Sequence, residues 1–158
     1  MKYFTLHELC ASATARRLGI LNVPDETQRE NLIRLVDNVL DPLREAWGAP
    51  IIVTSGFRCP RLNTVVGGAR RSQHMLGEAA DIRTVSNQPE DNRRLRDLLI
   101  TLGLPFDQLI DEYGCSWLHV SYREGRLRHQ ALRALRRGGK TIYCSLFPTS
   151  PPGPTCPP

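Results

Sequence analysis

The sequence predicts an α+β domain with a small, mainly antiparallel sheet packed against helices. Two observations favour this class. Helical patterns fill the first 48 residues, and two late strand-like segments are separated only by a tight turn near Gly114, which is typical of an antiparallel hairpin. The chain has 158 residues, of which 41% are hydrophobic, so it is long enough to form one domain with its own core.

The helical signals come first along the chain. Thr5 begins a capping-box pattern, and Ser12 can cap a second short helix, so both predict helices of a few turns at most. The clearest helix covers 25–48 and carries an apolar stripe at helical spacing. We expect Pro42 to kink this helix and Gly48 to end it.

Strand and helix signals alternate in the rest of the chain. Branched residues predict a strand at 50–57, and further strands are predicted at 79–85, 106–113, 116–123 and, at a sheet edge, 140–146. Two more helices are predicted, a short one beginning at Pro60 and an amphipathic one ending at Gly103.

The domain is predicted to cover residues 1–146, followed by a proline-rich disordered tail at 147–158, which has six prolines in twelve residues. The net charge is +5, and its excess is concentrated at 123–140. This segment is either a solvated basic face or a surface attracted to an anionic wall polymer. It lacks interleaved aromatic residues, so we expect no nucleic-acid partner.

Other features of the sequence concern the cellular compartment in which the protein is made. No apolar run approaches the roughly 20 residues that span a bilayer, and the N-terminal segment lacks the apolar region of a signal peptide. We therefore expect that the protein does not insert into a membrane. We also expect that it is synthesised in the cytoplasm without a signal peptide. The five cysteines form no CxxC pair, which predicts mostly reduced thiols.

Three residues are candidates for a metal site. His74 and Asp81 lie close together in a segment of glycine and small residues, and His119 lies in a later strand. A catalytic zinc site commonly uses three protein ligands and keeps one open position. Successive side chains of a strand project to opposite faces, so His119 lies on the other face from Leu118 and Val120. The face that carries His119 is the less apolar of the two. Spacing alone also leaves open that these histidines are hydrogen-bonded structural residues.

Three motifs favour the metal site over structural histidines: SGFRCPRLN, SQHMLGEAAD and SWLHVSY, in that order. Together they resemble the M15 family of zinc D-alanyl-D-alanine carboxypeptidases, in its short single-domain branch from phages and bacteria. The resemblance implies a hedgehog/DD-peptidase-like fold with the zinc site in a cleft on the sheet. It implies a Zn²⁺ cofactor and names its ligands as His74, Asp81 and His119.

The same resemblance implies further site residues. Arg58 matches the residue that binds the scissile carbonyl or a nearby carboxylate, so it is assigned both a catalytic and a substrate-binding role. Ser72 and Trp117 are assigned to substrate binding.

The catalytic base is less well defined, because the chain departs from the motif. Many members carry a carboxylate three positions before the last histidine, where this chain has Ser116. Asp111 or Glu112 on the preceding strand could supply it, and alternation does not decide which of the two faces the cleft. The resemblance favours Glu112.

We therefore expect a zinc-dependent peptidase that hydrolyses peptidoglycan stem-peptide bonds next to D-alanine, as a carboxypeptidase or an endopeptidase. Its expected setting is phage lysis or cell-wall processing, as a monomer that reaches the wall after release through a phage pore. One alternative is a non-catalytic zinc-containing binding module of the hedgehog type. Another is a cysteine hydrolase that uses Cys115 with His119.

Overall fold

The fold was obtained as a computed structural model, which describes residues 1–147. Six strands form one sheet in the order β1-β2-β4-β3-β5-β6, and helices pack beside it, so the predicted α+β class is confirmed. The predicted disordered tail lies, apart from Phe147, outside the described residues. In the described part of the chain, no helix has the length and apolarity needed to cross a membrane.

The helices begin where the capping signals indicated. Thr5 accepts a bond from the Glu8 amide at the start of the first helix, and Ser12 accepts one from the Ala15 amide at the start of the second. The helices are α1 (Leu6–Cys10), α2 (Ala13–Arg17), α3 (Glu26–Leu35), α4 (Asp41–Trp47), α5 (Pro60–Val65) and α6 (Pro89–Thr101). A 3₁₀ turn covers Gln73–Leu76.

The predicted disruption at Pro42 takes the form of a π-helical turn. The turn covers Val36–Leu40 and joins α3 to α4, and the Asp41 amide bonds to the Val36 carbonyl. Proline lacks an amide hydrogen and crowds the preceding turn, and a single π turn accommodates both effects within a continuous helix. The helix ends at Gly48, as predicted.

The strands are β1 (Ile51–Ser55), β2 (Ala79–Thr84), β3 (Gln108–Glu112), β4 (Trp117–Ser121), β5 (Gln130–Arg137) and β6 (Lys140–Ser145). All neighbouring pairs are antiparallel except β3 and β5, which are parallel. The predicted β3–β4 hairpin and the edge strand β6 are confirmed.

Strand β5 was missed, because 123–140 was interpreted only as a basic surface. Ala131 and Ala134 are its buried residues, and such small side chains give almost no strand signal among arginines. Two arginines of this segment also neutralise buried carboxylates. Arg128 binds Asp107 and Arg133 lies 3.5 Å from Asp111, whereas Arg136 and Arg137 of the same segment are exposed.

The core lies between the helices and one face of the sheet. Ile82, Leu109, Leu118 and Val120 bring that face into a cluster with the buried leucines of α3 and α6. Alternate residues of the same strands project to the opposite face, which is open as a cleft. The helix-covered face therefore stabilises the strands, and the open face is free to carry functional groups.

Candidate metal centre

Three side chains converge on one point of the open face. His74 projects from the 3₁₀ turn, while Asp81 on β2 and His119 on β4 are direct cross-strand partners. The His74 Nε2 atom lies 3.2 Å from Asp81 Oδ1 and 3.1 Å from His119 Nδ1, and His119 Nδ1 lies 3.0 Å from Asp81 Oδ1. Such a group could hold a metal ion. The structure thus brings together the three predicted ligands.

The backbone around His74 is fixed by close packing. Gly77 ends the 3₁₀ turn in a left-handed conformation with φ of 71°, and a Cβ there would lie 2.3 Å from the Gln28 carbonyl oxygen. The His74 Nδ1 atom donates to the Gly56 carbonyl oxygen at 2.7 Å, which leaves Nε2 facing the other two ligands. A backbone partner of this kind fixes the tautomer and orientation of a ligating imidazole.

The charge states suit a metal. Burial lowers the pKa of His74, so its imidazole is neutral near pH 7. Burial alone would raise the pKa of Asp81, but His74 and His119 outweigh this effect and hold its pKa below the usual range. A neutral imidazole and an ionised carboxylate are the forms that bind zinc.

Arg58 lines the cleft, and its guanidinium already donates hydrogen bonds to two side chains. One amino group donates to Asp81 Oδ2, and Nε donates to Ser55 Oγ at 2.7 Å. The sequence assigned Arg58 a catalytic and a substrate-binding role, whereas here it also supports a candidate metal ligand. The remaining donors of its guanidinium are available for a carbonyl or carboxylate oxygen.

The two candidate bases lie on opposite faces. Glu112 lines the cleft, and burial raises the pKa of its carboxyl group. Asp111 is 1% exposed on the helix side, where it accepts bonds from Arg96 at 2.8 Å and from the Cys115 amide at 2.6 Å. Only Glu112 is therefore placed to meet a substrate, which the sequence could not decide.

The predicted thiol alternative is not supported by the geometry. Cys115 is fully buried in the core cluster, whereas His119 belongs to the open face. Burial, followed by its contact with Asp111, raises the pKa of the Cys115 thiol to about 12. The nucleophile in thiol catalysis is the thiolate, so this cysteine is inert. A cysteine hydrolase would need Cys115 and His119 on the same side of the sheet, and the structure places them on opposite sides.

The cleft has a volume of about 770 Å³ and extends well beyond the metal centre. Ser72 and Trp117, both assigned to substrate binding from the sequence, line it. So do Arg136 and Tyr143 of the β5–β6 hairpin, which the sequence did not indicate as site residues. The sequence predicted edge strand β6 but missed β5, which joins β6 to the rest of the sheet. The sequence therefore did not indicate that β6 lies beside the site.

A candidate metal-ligand cluster on the open face of a mainly antiparallel sheet, beside a cleft large enough for a peptide, is typical of a small α+β metalloenzyme. The comparisons with known proteins give the particular family. The model for Peptidase M15 matches residues 2–120, and the chain belongs to that family.

One curated relative adds a local match. The zinc D-Ala-D-Ala carboxypeptidase of Streptomyces albus G is 50% identical over 44 residues. The matched segment is 27% of this chain and 17% of that protein, so the similarity is confined to a short part of both. Together with the His–Asp–His donor set, the family and this relative confirm the prediction of a zinc cofactor.

Proposed function

We propose that this chain is a zinc peptidase that hydrolyses peptidoglycan stem-peptide bonds next to D-alanine. The observation that carries the proposal is the convergence of His74, Asp81 and His119 on one face of the sheet. These three residues would hold the ion through two nitrogen atoms and one carboxylate oxygen. That set leaves a coordination position open, as catalytic zinc sites require.

The chemistry divides between the ion and the chain. When bound, zinc supplies a Lewis acid that polarises the scissile carbonyl and makes water more acidic. Glu112 accepts a proton from the attacking water and delivers it to the leaving amine. Its half-buried position suits this role, because burial raises its pKa and thus its basicity. No covalent bond to the protein is needed.

Arg58 stabilises the negative charge that develops on the carbonyl oxygen. Its guanidinium is oriented by Ser55 and Asp81 before substrate arrives, so little reorganisation is needed. Ser72 and Trp117, which line the same cleft, bind the rest of the peptide. Each role belongs to a side chain that lines the same cleft.

The substrate class rests on the family and on the name of the Streptomyces relative. D-alanine next to the scissile bond is the part of the proposal that this name supports. The setting in phage lysis or cell-wall processing stays a prediction from the sequence, as does the monomeric state.

The function is tested by digesting purified peptidoglycan and identifying the products by mass spectrometry, with zinc content measured on the same sample. We expect one zinc per chain and release of D-alanine or of peptides cut beside it, abolished by a chelator and unaffected by a thiol alkylating agent. Stoichiometric zinc without any cleavage would instead indicate a non-catalytic binding module.

Replacing Arg58 with alanine should affect both turnover and metal binding. At saturating zinc we expect kcat to fall about a hundredfold, since one oxyanion donor is lost. Zinc affinity should also fall by about tenfold or more, because Asp81 loses its partner. Steady-state kinetics and zinc titration measure the two effects separately.

The Ser55→Ala variant is the matched control for Arg58, because it removes only the bond to Nε. We expect it to retain most of the turnover and zinc affinity. An Arg58→Ala variant with full kcat at saturating zinc would show that Arg58 acts on Asp81 alone.

A further inference from the structure

The cleft continues away from the metal centre along the β5–β6 hairpin, beyond residues 2–120 that the family model matches. We propose that this hairpin forms an additional substrate subsite, in which Arg136 binds a carboxylate of the peptide between the rings of Tyr113 and Tyr143. The inference rests on the proposed peptidase function and specifies the kind of peptide that the enzyme prefers.

The sheet register places the hairpin beside the base. Tyr143 pairs with Ala134, Ala134 pairs with Glu112, and Glu112 pairs with Trp117, so these four residues form one row across four strands. Directly paired residues project to the same face. Ala134 is the smallest member of the row and is fully buried, whereas its row neighbours Tyr143 and Glu112 both line the cleft.

Arg136 lies two residues along β5 from Ala134 and therefore projects to the same face. Its guanidinium carbon lies 5.7 Å from the centre of the Tyr113 ring. Tyr113 is held in turn by the Trp117 ring at 5.5 Å and by a 2.9 Å bond between its hydroxyl and Thr141. A guanidinium oriented over an aromatic ring keeps its donors free for a carboxylate.

The charge of Arg136 has no carboxylate partner in the described part of the chain. Its neighbour Arg133 lies near Asp111, and Arg128 binds Asp107, but Arg136 forms no ion pair there. Tyr143 contributes a neutral hydroxyl donor, since burial and the nearby Glu112 raise its pKa. A cation over the Tyr113 ring, in a cleft that Tyr143 also lines, favours an anionic group of the substrate.

The distance from the metal centre defines where that group lies in the peptide. His119 pairs with Ile110 on β3, and Ile110 pairs with Leu132 on β5, four residues before Arg136. At ordinary strand spacings, the Cα atoms of His119 and Arg136 are therefore roughly 16 Å apart. An extended peptide advances about 3.3 Å per residue, and both side chains span part of the distance. The carboxylate therefore belongs to a residue two or three positions from the scissile bond.

The test uses two synthetic peptides that end in D-Ala-D-Ala and differ only at one position, three residues before the scissile bond. One peptide carries glutamate there and the other glutamine. For the zinc-loaded enzyme we expect a KM about tenfold lower for the glutamate peptide, with similar kcat. In the Arg136→Gln variant this preference should disappear, while kcat and the KM for the glutamine peptide stay unchanged.

Arg137→Gln is the matched control, because Arg137 is the next residue on the same strand, is exposed like Arg136, and projects to the opposite face. It should keep the preference. Equal effects of the two variants, or an unaltered preference in Arg136→Gln, would overturn the proposal.

Binding is measured independently of turnover, by the fluorescence of Trp117 in a Trp47→Phe background that removes the second tryptophan. Glutamate-selective binding that depends on Arg136 but occurs without cleavage would support the subsite and contradict the peptidase. Cleavage without any selectivity at Arg136 would support the peptidase and overturn the subsite.

Discussion

Replacing Glu112 with glutamine should reduce peptide hydrolysis by about a hundredfold to ten-thousandfold, while the zinc content stays at one per chain. The amide keeps the size of the side chain but cannot accept the proton of the attacking water. Glu112 is not among the three candidate metal ligands, so the ion should remain. Steady-state kinetics with metal analysis of the same preparation measure both quantities.

Asp111→Asn is the matched control, because it makes the same chemical change one residue away on the opposite face. Asp111 binds Arg96 and the Cys115 amide beneath the sheet, so this variant should lose stability, by roughly 1–3 kcal/mol, rather than activity. Its activity should be near that of the unmodified protein well below its melting temperature. An inactive Asp111→Asn with an active Glu112→Gln would contradict the assignment of the base.

Replacing His119 with alanine should abolish zinc binding and hydrolysis together. His119 is one of three donors whose atoms lie within 4.8 Å of one another, and two remaining donors hold a metal far more weakly. The fold should persist, since the core is formed by Leu118 and Val120 on the other face of β4. Zinc content is measured by mass spectrometry and folding by circular dichroism.

Zinc should also raise the melting temperature of the unmodified protein, because a ligand that binds only the native state stabilises it. We expect this rise to be lost in His119→Ala and kept in His7→Ala, which removes an exposed histidine of α1. Full zinc occupancy in His119→Ala would show that this ligand assignment is wrong.

The local signals in the sequence determined most helices and strands. Capping residues such as Thr5 and Ser12 act within one turn, so their effect can be read without knowledge of the fold. Alternation in β4 likewise separated Leu118 and Val120 from His119. The three ligand candidates followed from the motifs, and the structure brings them together.

Only the tertiary structure decided the faces on which Asp111 and Glu112 lie, the environment of Cys115 and the far end of the cleft. Both faces of β3 are mixed in polarity, and the burial of Asp111 depends on Arg96 from a distant helix. Strand β5 carries little strand signal of its own and is fixed by pairing with β3 and β6. The sequence by itself thus determined local elements and the metal-ligand motif, whereas long-range pairing placed Glu112, Arg136 and Tyr143 around it, because those contacts join residues far apart in the chain.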